Sequence, residues 1–152
     1  MAAIFPWQLP VSLVYGTIMG RDRLSAGYFV SQIGGAPGNR RVADGCLQLE
    51  LITAGAVYDP DEVELCPAGW AFLHRAGQYT IHRSEPDGHY ECLTVTLPHV
   101  DRFATIDWPR RFRWSPTESA LTFADELLDA YHRRRIDQEI LLQWLCGELA
   151  FR

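Results

Sequence analysis

Thr80, His82, Tyr90, Cys92 and Thr94 are the residues whose types and spacing offer chemistry. All fall at even positions in two short stretches, 78–83 and 90–97, so strand periodicity would set them on one face. Hydroxyls, an imidazole and a thiol beside aromatic rings suit hydrogen bonding to a small neutral or weakly polar ligand. An arginine nearby would serve a carboxylate or sugar hydroxyls. The same set would equally suit a filled interior in which protein groups satisfy every polar atom.

Covalent and metal chemistry find less support. All fourteen basic residues are arginine, so a lysine Schiff base and a phosphate-loop lysine are excluded. The chain has no G-x-S-x-G elbow for a serine nucleophile. Cys46, Cys66, Cys92 and Cys146 form no C-x-x-C pair, and no two histidines stand one residue apart. Cys92 beside His82 on adjoining strands would be a buried, inert thiol. Spacing groups neither Glu50 nor Glu91 with a second acid, and His89 and His99 lie in turn regions facing solvent. The expectation is a protein that is not an enzyme, with no catalytic residue, no metal and no cofactor.

A chain of 152 residues suffices for one domain with a real core. Its net charge of −5 leaves no broad basic footprint for nucleic acid. Pro6, Trp7 and Pro10 interrupt the first apolar run where a secretion signal would need continuity, and no apolar stretch would span a bilayer. Four reduced thiols in a cytoplasmic protein are expected.

The elements that must position these residues are mainly strands. Residues 1–10 read as an extended arm, because its prolines discourage helix and central strand. It would cover a sheet edge or lie over a cavity with Trp7 as the lid. Strands are expected over 11–19 and 27–33, with a Gly-rich loop at 34–39. In 46–53, Leu47, Leu49 and Leu51 alternate with Gln48 and Glu50. Residues 65–83 read as a turn, a strand from Trp70, a turn at Gly77, and a second strand. In the next strand, Glu91, Leu93, Val95 and Leu97 face one way and Tyr90, Cys92, Thr94 and Thr96 the other. Short strands divided by Gly and Pro turns argue for a sandwich or barrel.

The period then changes. Ser115-Pro116-Thr117-Glu118 has the form of a capping box, and Leu121, Ala124, Leu127, Leu128 and Tyr131 follow at helical spacing. The arginines 133–135 suit the end of that helix, solvated at its negative pole. Asp137 is placed to cap a second helix, with Ile136 and Leu141 as a hydrophobic staple. That helix is apolar round most of its circumference. One stripe can bury against its own fold, and a second stripe asks for a partner such as another copy.

An arm, a β-domain, a helix with a capping box and a mostly apolar terminal helix, in that order, resemble the N-terminal sensor and dimerisation domain of AraC-family transcription regulators. LITAG at 51–55 and CPAGWAFLHRAGQYTIH at 66–82 carry the best local likeness. The resemblance implies a cupin-like (double-stranded β-helix or jelly-roll) barrel at 1–114 followed by two α-helices at 115–152. Its mainly β fold with C-terminal helices is therefore expected to bind a small-molecule effector, such as a sugar or small acid. Metal-binding cupins carry an H-x-H pair and a G(x)5P-x-G(x)2H motif. Counted from Gly69, Arg75 and Thr80 occupy the proline and histidine places, so the implied cavity is metal-free. By the resemblance, Trp7 lies in the ligand-binding arm, Arg40 near the pocket arginine, and His82, Cys92 and Thr94 on the wall. It also implies a homodimer through Leu141, Leu142, Leu145 and Leu149, with DNA contacted only by a helix-turn-helix domain that this sequence does not contain. The alternative is a stand-alone metal-free cupin, either a carbohydrate-binding module or an epimerase or lyase working through His74 or His82.

Overall fold

The computed structural model describes residues 24–34, 40–59, 63–81, 83–98 and 108–152. The expected arm at 1–10 with Trp7, the strand at 11–19, and His82 and His99 lie outside the described residues.

The strands are β1 (Ser25–Val30), β2 (Cys46–Tyr58), β3 (Leu65–Pro67), β4 (Trp70–Arg75), β5 (Tyr90–Pro98) and β6 (Arg111–Arg113). They form a six-stranded sheet in the order β1-β5-β2-β4-β6, with β3 on the far half of β2, and every pairing is antiparallel. Among the described residues the sheet does not close on itself. The helices α1 (Ser119–Leu128) and α2 (Gln138–Phe151) follow, with a π-helical turn at Asp129–Arg133 between them.

The alternation seen in the sequence sorts the sheet into two faces. Leu47, Leu49 and Leu51 of β2, Ala71 and Leu73 of β4, and Leu93, Val95 and Leu97 of β5 point to the helices. There they meet Phe123, Leu127 and Leu128 of α1 and Leu141, Leu145 and Leu149 of α2 in one buried cluster. Trp114, fully buried, bridges sheet and helix: its ring lies 4.5 Å from that of Phe123, which in turn lies 5.3 Å from Trp144. The opposite face holds a second apolar cluster that includes Phe29, Ile52, Phe72, Tyr90 and Cys92.

Local chemistry explains several bends. The register of β2 on β5 shifts between Ile52 and Ala54, and the Thr53 hydroxyl at that bulge donates to the Glu91 carbonyl at 3.2 Å. Gly55 follows at φ 70°, where a Cβ would sit 2.0 Å from the His89 carbonyl oxygen, so only glycine fits.

Two expectations are corrected. The 115–118 segment is not a capping box: α1 starts at Ser119, and Glu118 makes no side-chain cap. The Ser119 and Ala120 amides instead bond to the Pro116 and Thr117 carbonyls as a turn. Among the described residues, 78–81 and Arg83 do not pair with β4 as a hairpin. Val42 N instead donates to Gln78 O at 2.8 Å and Thr80 N to Arg40 O at 2.9 Å, while Tyr58 N donates to Arg83 O at 2.8 Å. The cap of α2 does form, with Asp137 Oδ1 accepting from Glu139 N at 2.9 Å and Ile140 N at 3.4 Å.

Gln138 and His132 tie the helices to the first strand. The Gln138 amide accepts from Leu24 N at 3.1 Å and donates to Leu24 O at 3.2 Å, as a paired strand would. His132 Nε2 donates to Ala26 O at 2.9 Å.

Candidate functional site

Paired residues in an antiparallel ladder share a face, so the registers of β1, β5, β2 and β4 define what lies side by side. One row across the helix-free face runs Gly27, Thr94, Glu50, Phe72; the next runs Ser25, Thr96, Gln48, His74. Polar side chains thus occupy the middle of a sheet whose other face buries mainly leucines and other apolar side chains. Thr94, Thr96 and Gln48 are half-buried, whereas Glu50 and His74 are almost wholly removed from water at 3% and 0% exposure.

Burying a carboxylate is costly unless its oxygens are satisfied. Here Glu50 Oε2 accepts from His74 Nε2 at 2.7 Å and from the Ile81 amide at 3.0 Å. The other ring nitrogen, His74 Nδ1, faces Arg110 Nη2 at 3.5 Å. A guanidinium only donates, so Nδ1 must present its lone pair and the ring proton resides on Nε2, aimed at Glu50. The imidazole thus lies between the Arg110 guanidinium and the Glu50 carboxyl group. Arg110 Nη2 also donates to Tyr79 O at 3.1 Å, which fixes the segment that delivers the Ile81 amide. The Phe72 ring lies parallel to that of His74 with centroids 6.1 Å apart and supplies one wall.

The residues expected at the site fall in different places. Thr80 is buried, and its hydroxyl accepts from Arg40 N at 3.0 Å, so Thr80 and Arg40 are neighbours through their backbones. Arg40 is an exposed residue at the edge of the site. Thr94 sits in the polar row and donates to Gly27 O at 3.3 Å. Tyr90 and Cys92 continue the same face but belong to its apolar end, where the Tyr90 and Phe29 rings are 5.4 Å apart.

The Cys66 and Cys92 thiols are poor nucleophiles. Burial pushes the Cys92 thiol well above its ordinary range, and the carboxylates of Glu50 and Glu91 push it further. Burial also raises Cys66, against the opposing pull of Arg111, whose Nη1 lies 3.5 Å from the sulfur. Among the described residues, no three His, Cys, Asp or Glu side chains come together as a metal-holding group. What the arrangement offers a small polar molecule is Thr94, Thr96 and Gln48, backed by the buried Glu50–His74 pair. Proton transfer through His74 would require a substrate to reach the ring.

Glu50 and its link to His74 were missed by spacing, since the two residues are far apart in the chain. The available signal was Glu50 alone: an acid between Leu49 and Leu51 in a strand central enough to be buried. At the other end of the chain, Leu141, Leu145 and Leu149 are buried in the chain's own core and Leu142 packs partly against it. No helix of the described residues is long and apolar enough to cross a membrane. No protein-family model matches the sequence, and neither does any curated protein.

Proposed function

We propose that this chain is the ligand-sensing and dimerisation domain of a cytoplasmic bacterial AraC-type transcription regulator. The observation that carries the reading is the division of labour between the two faces of the sheet. Helices seal one face through leucines, while the other carries a half-buried polar row over the Glu50–His74 pair. A binding surface and an output element on opposite sides of one sheet are what a sensor requires. In this reading the sheet closes as a cupin-like barrel, a small effector sits on Thr94, Thr96 and Gln48, and Arg40 and Thr80 flank it. The effector alters affinity between copies by binding two arrangements unequally. The test is the full gene: a reading frame that continues beyond Arg152 into two helix-turn-helix units supports the reading, and one that ends there counts against a regulator.

The short Glu50–His74 contact favours one second reading, a metal-free epimerase or lyase in which His74 moves a proton and Glu50 orients it. Turnover of a sugar-type substrate that His74→Asn abolishes would decide for it.

A further inference from the structure

The joint between α1 and α2 leaves a groove of about 420 Å3, the size of a small-molecule site. The chain leaves α1 through the π-helical turn and reverses at Arg135, whose φ is 47°. Two backbone bonds close the reversal, from Arg134 N to Asp129 O and from Ile136 N to Ala130 O, both at 3.0 Å. Arg134 and Ile136 are thereby brought back beside the end of α1, where both line the groove.

The lining is of three kinds. Ile136, Ile140 and Trp144 stand four residues apart and give an apolar wall. Ile140 is 59% exposed, and the Trp144 ring is supported from the core by Phe123 at 5.3 Å. Glu126 and Asp129, three residues apart, supply carboxylates, and Arg134 supplies a guanidinium. Asp129 is already engaged by Arg133 at 3.8 Å. The side chains of Glu126 and Arg134 have no hydrogen-bond or ion-pair partner among the described residues, each other included. Opposite charges that share a groove without meeting can both be satisfied by one ligand that carries both signs beside an apolar group.

We propose that this groove binds a free α-amino acid with a large apolar side chain. Its ammonium group lies on Glu126 and Asp129, its carboxylate on Arg134, and its side chain against Ile136, Ile140 and Trp144. The guanidinium fork matches a carboxylate, and the indole suits an aromatic or branched aliphatic group. Simple amines and fatty acids lack one of the two charges, and glycine lacks the apolar contact. Because both helices supply walls, an occupant fixes α2 against the end of α1. The groove lies on the helix side of the sheet and the polar row on the other, so this site goes beyond the sensor reading.

Isothermal titration calorimetry of the whole chain with L-phenylalanine and L-leucine tests it. At least one should bind one-to-one with a Kd of about 1 mM or below. For whichever binds, the amide, which lacks the carboxylate, and the deaminated acid, which lacks the ammonium group, should each bind at least about tenfold more weakly. Arg134→Gln should weaken the amino acid about tenfold and spare the amide, and Glu126→Gln should weaken the amino acid and spare the deaminated acid. Both positions are exposed, so neither change should lower the melting temperature. Thr94→Val, across the sheet, should leave amino-acid binding as it is. The proposal is overturned if neither amino acid binds, if the analogues bind as well as the parent, or if both charge variants bind it like the wild type. Loss of binding in Thr94→Val overturns it too. Effectors of the polar row are those that Arg134→Gln still binds, so the two sites fail separately.

Discussion

Glu50→Ala tests the physical core of the site. Glu50 Oε2 carries two hydrogen bonds, one from His74 and one from the Ile81 amide, and both partners are buried. Removing the carboxylate strands two donors at about 1–3 kcal/mol each and leaves no acid behind the ring that Arg110 faces. The two orphaned donors together imply a loss of about 2–6 kcal/mol. Against a total stability of about 5–15 kcal/mol, that is a large share. Urea unfolding should show the loss as a fall in midpoint at unchanged slope. Removing both members together, as Glu50→Leu with His74→Leu, should cost less than the two single changes summed, because no partner is left stranded. A loss below about 1 kcal/mol in Glu50→Ala, or strict additivity in the double variant, would refute the claim that Glu50 and His74 act as one buried unit.

Three further outcomes follow from the same structure. Leu145→Ala removes a wholly buried side chain at the junction of α2 with the sheet and should cost about 2–5 kcal/mol by urea unfolding, in a monomeric or dimeric sample alike. Asp137→Ala removes the acceptor of two amides at the start of α2 and should cost about 0.5–2 kcal/mol, with Asp137→Asn recovering most of it. Cys66, Cys92 and the Tyr28 hydroxyl are all raised chiefly by burial. The unfolded chain therefore releases the thiol protons first, at the ordinary value of 9.0, and the phenol proton at 10.0, so the contribution of these groups to stability should be flat below that range and fall above it. Native thiol titration at pH 8 should correspondingly leave Cys66 and Cys92 unmodified until denaturant is added.

The parts of this molecule that the sequence displays are those governed by local periodicity. Leucines alternating through β2 and apolar residues through β5 put the correct side chains on the helix face, and Asp137 announces the start of α2. The first helix begins later than its capping-box residues suggest, because the 115–118 turn packs under Trp114, whose indole donates to Ser119 Oγ at 3.1 Å. The 78–83 segment looks like a returning strand, yet Gln78 O and Thr80 N pair with the 40–42 backbone and Ile81 N with Glu50, a choice made by tertiary contacts. The Glu50–His74 pair is a matter of register: β4 places His74 opposite Gln48, one row from Glu50 on the same face, and no spacing rule reports that. Helix amphipathicity likewise shows two apolar stripes on α2 but does not say which one the sheet will take.

The reading as a sensor depends on the polar row binding something small. A thermal-shift screen of the whole chain against sugars, aromatic acids and other small metabolites tests this most directly. The account predicts that at least one class raises the melting temperature in proportion to its concentration. It also predicts that Thr94→Val and Gln48→Leu, which remove polar groups while keeping the shape, abolish that shift. A hit whose effect survives both changes, or a screen in which no compound moves the transition, would contradict it.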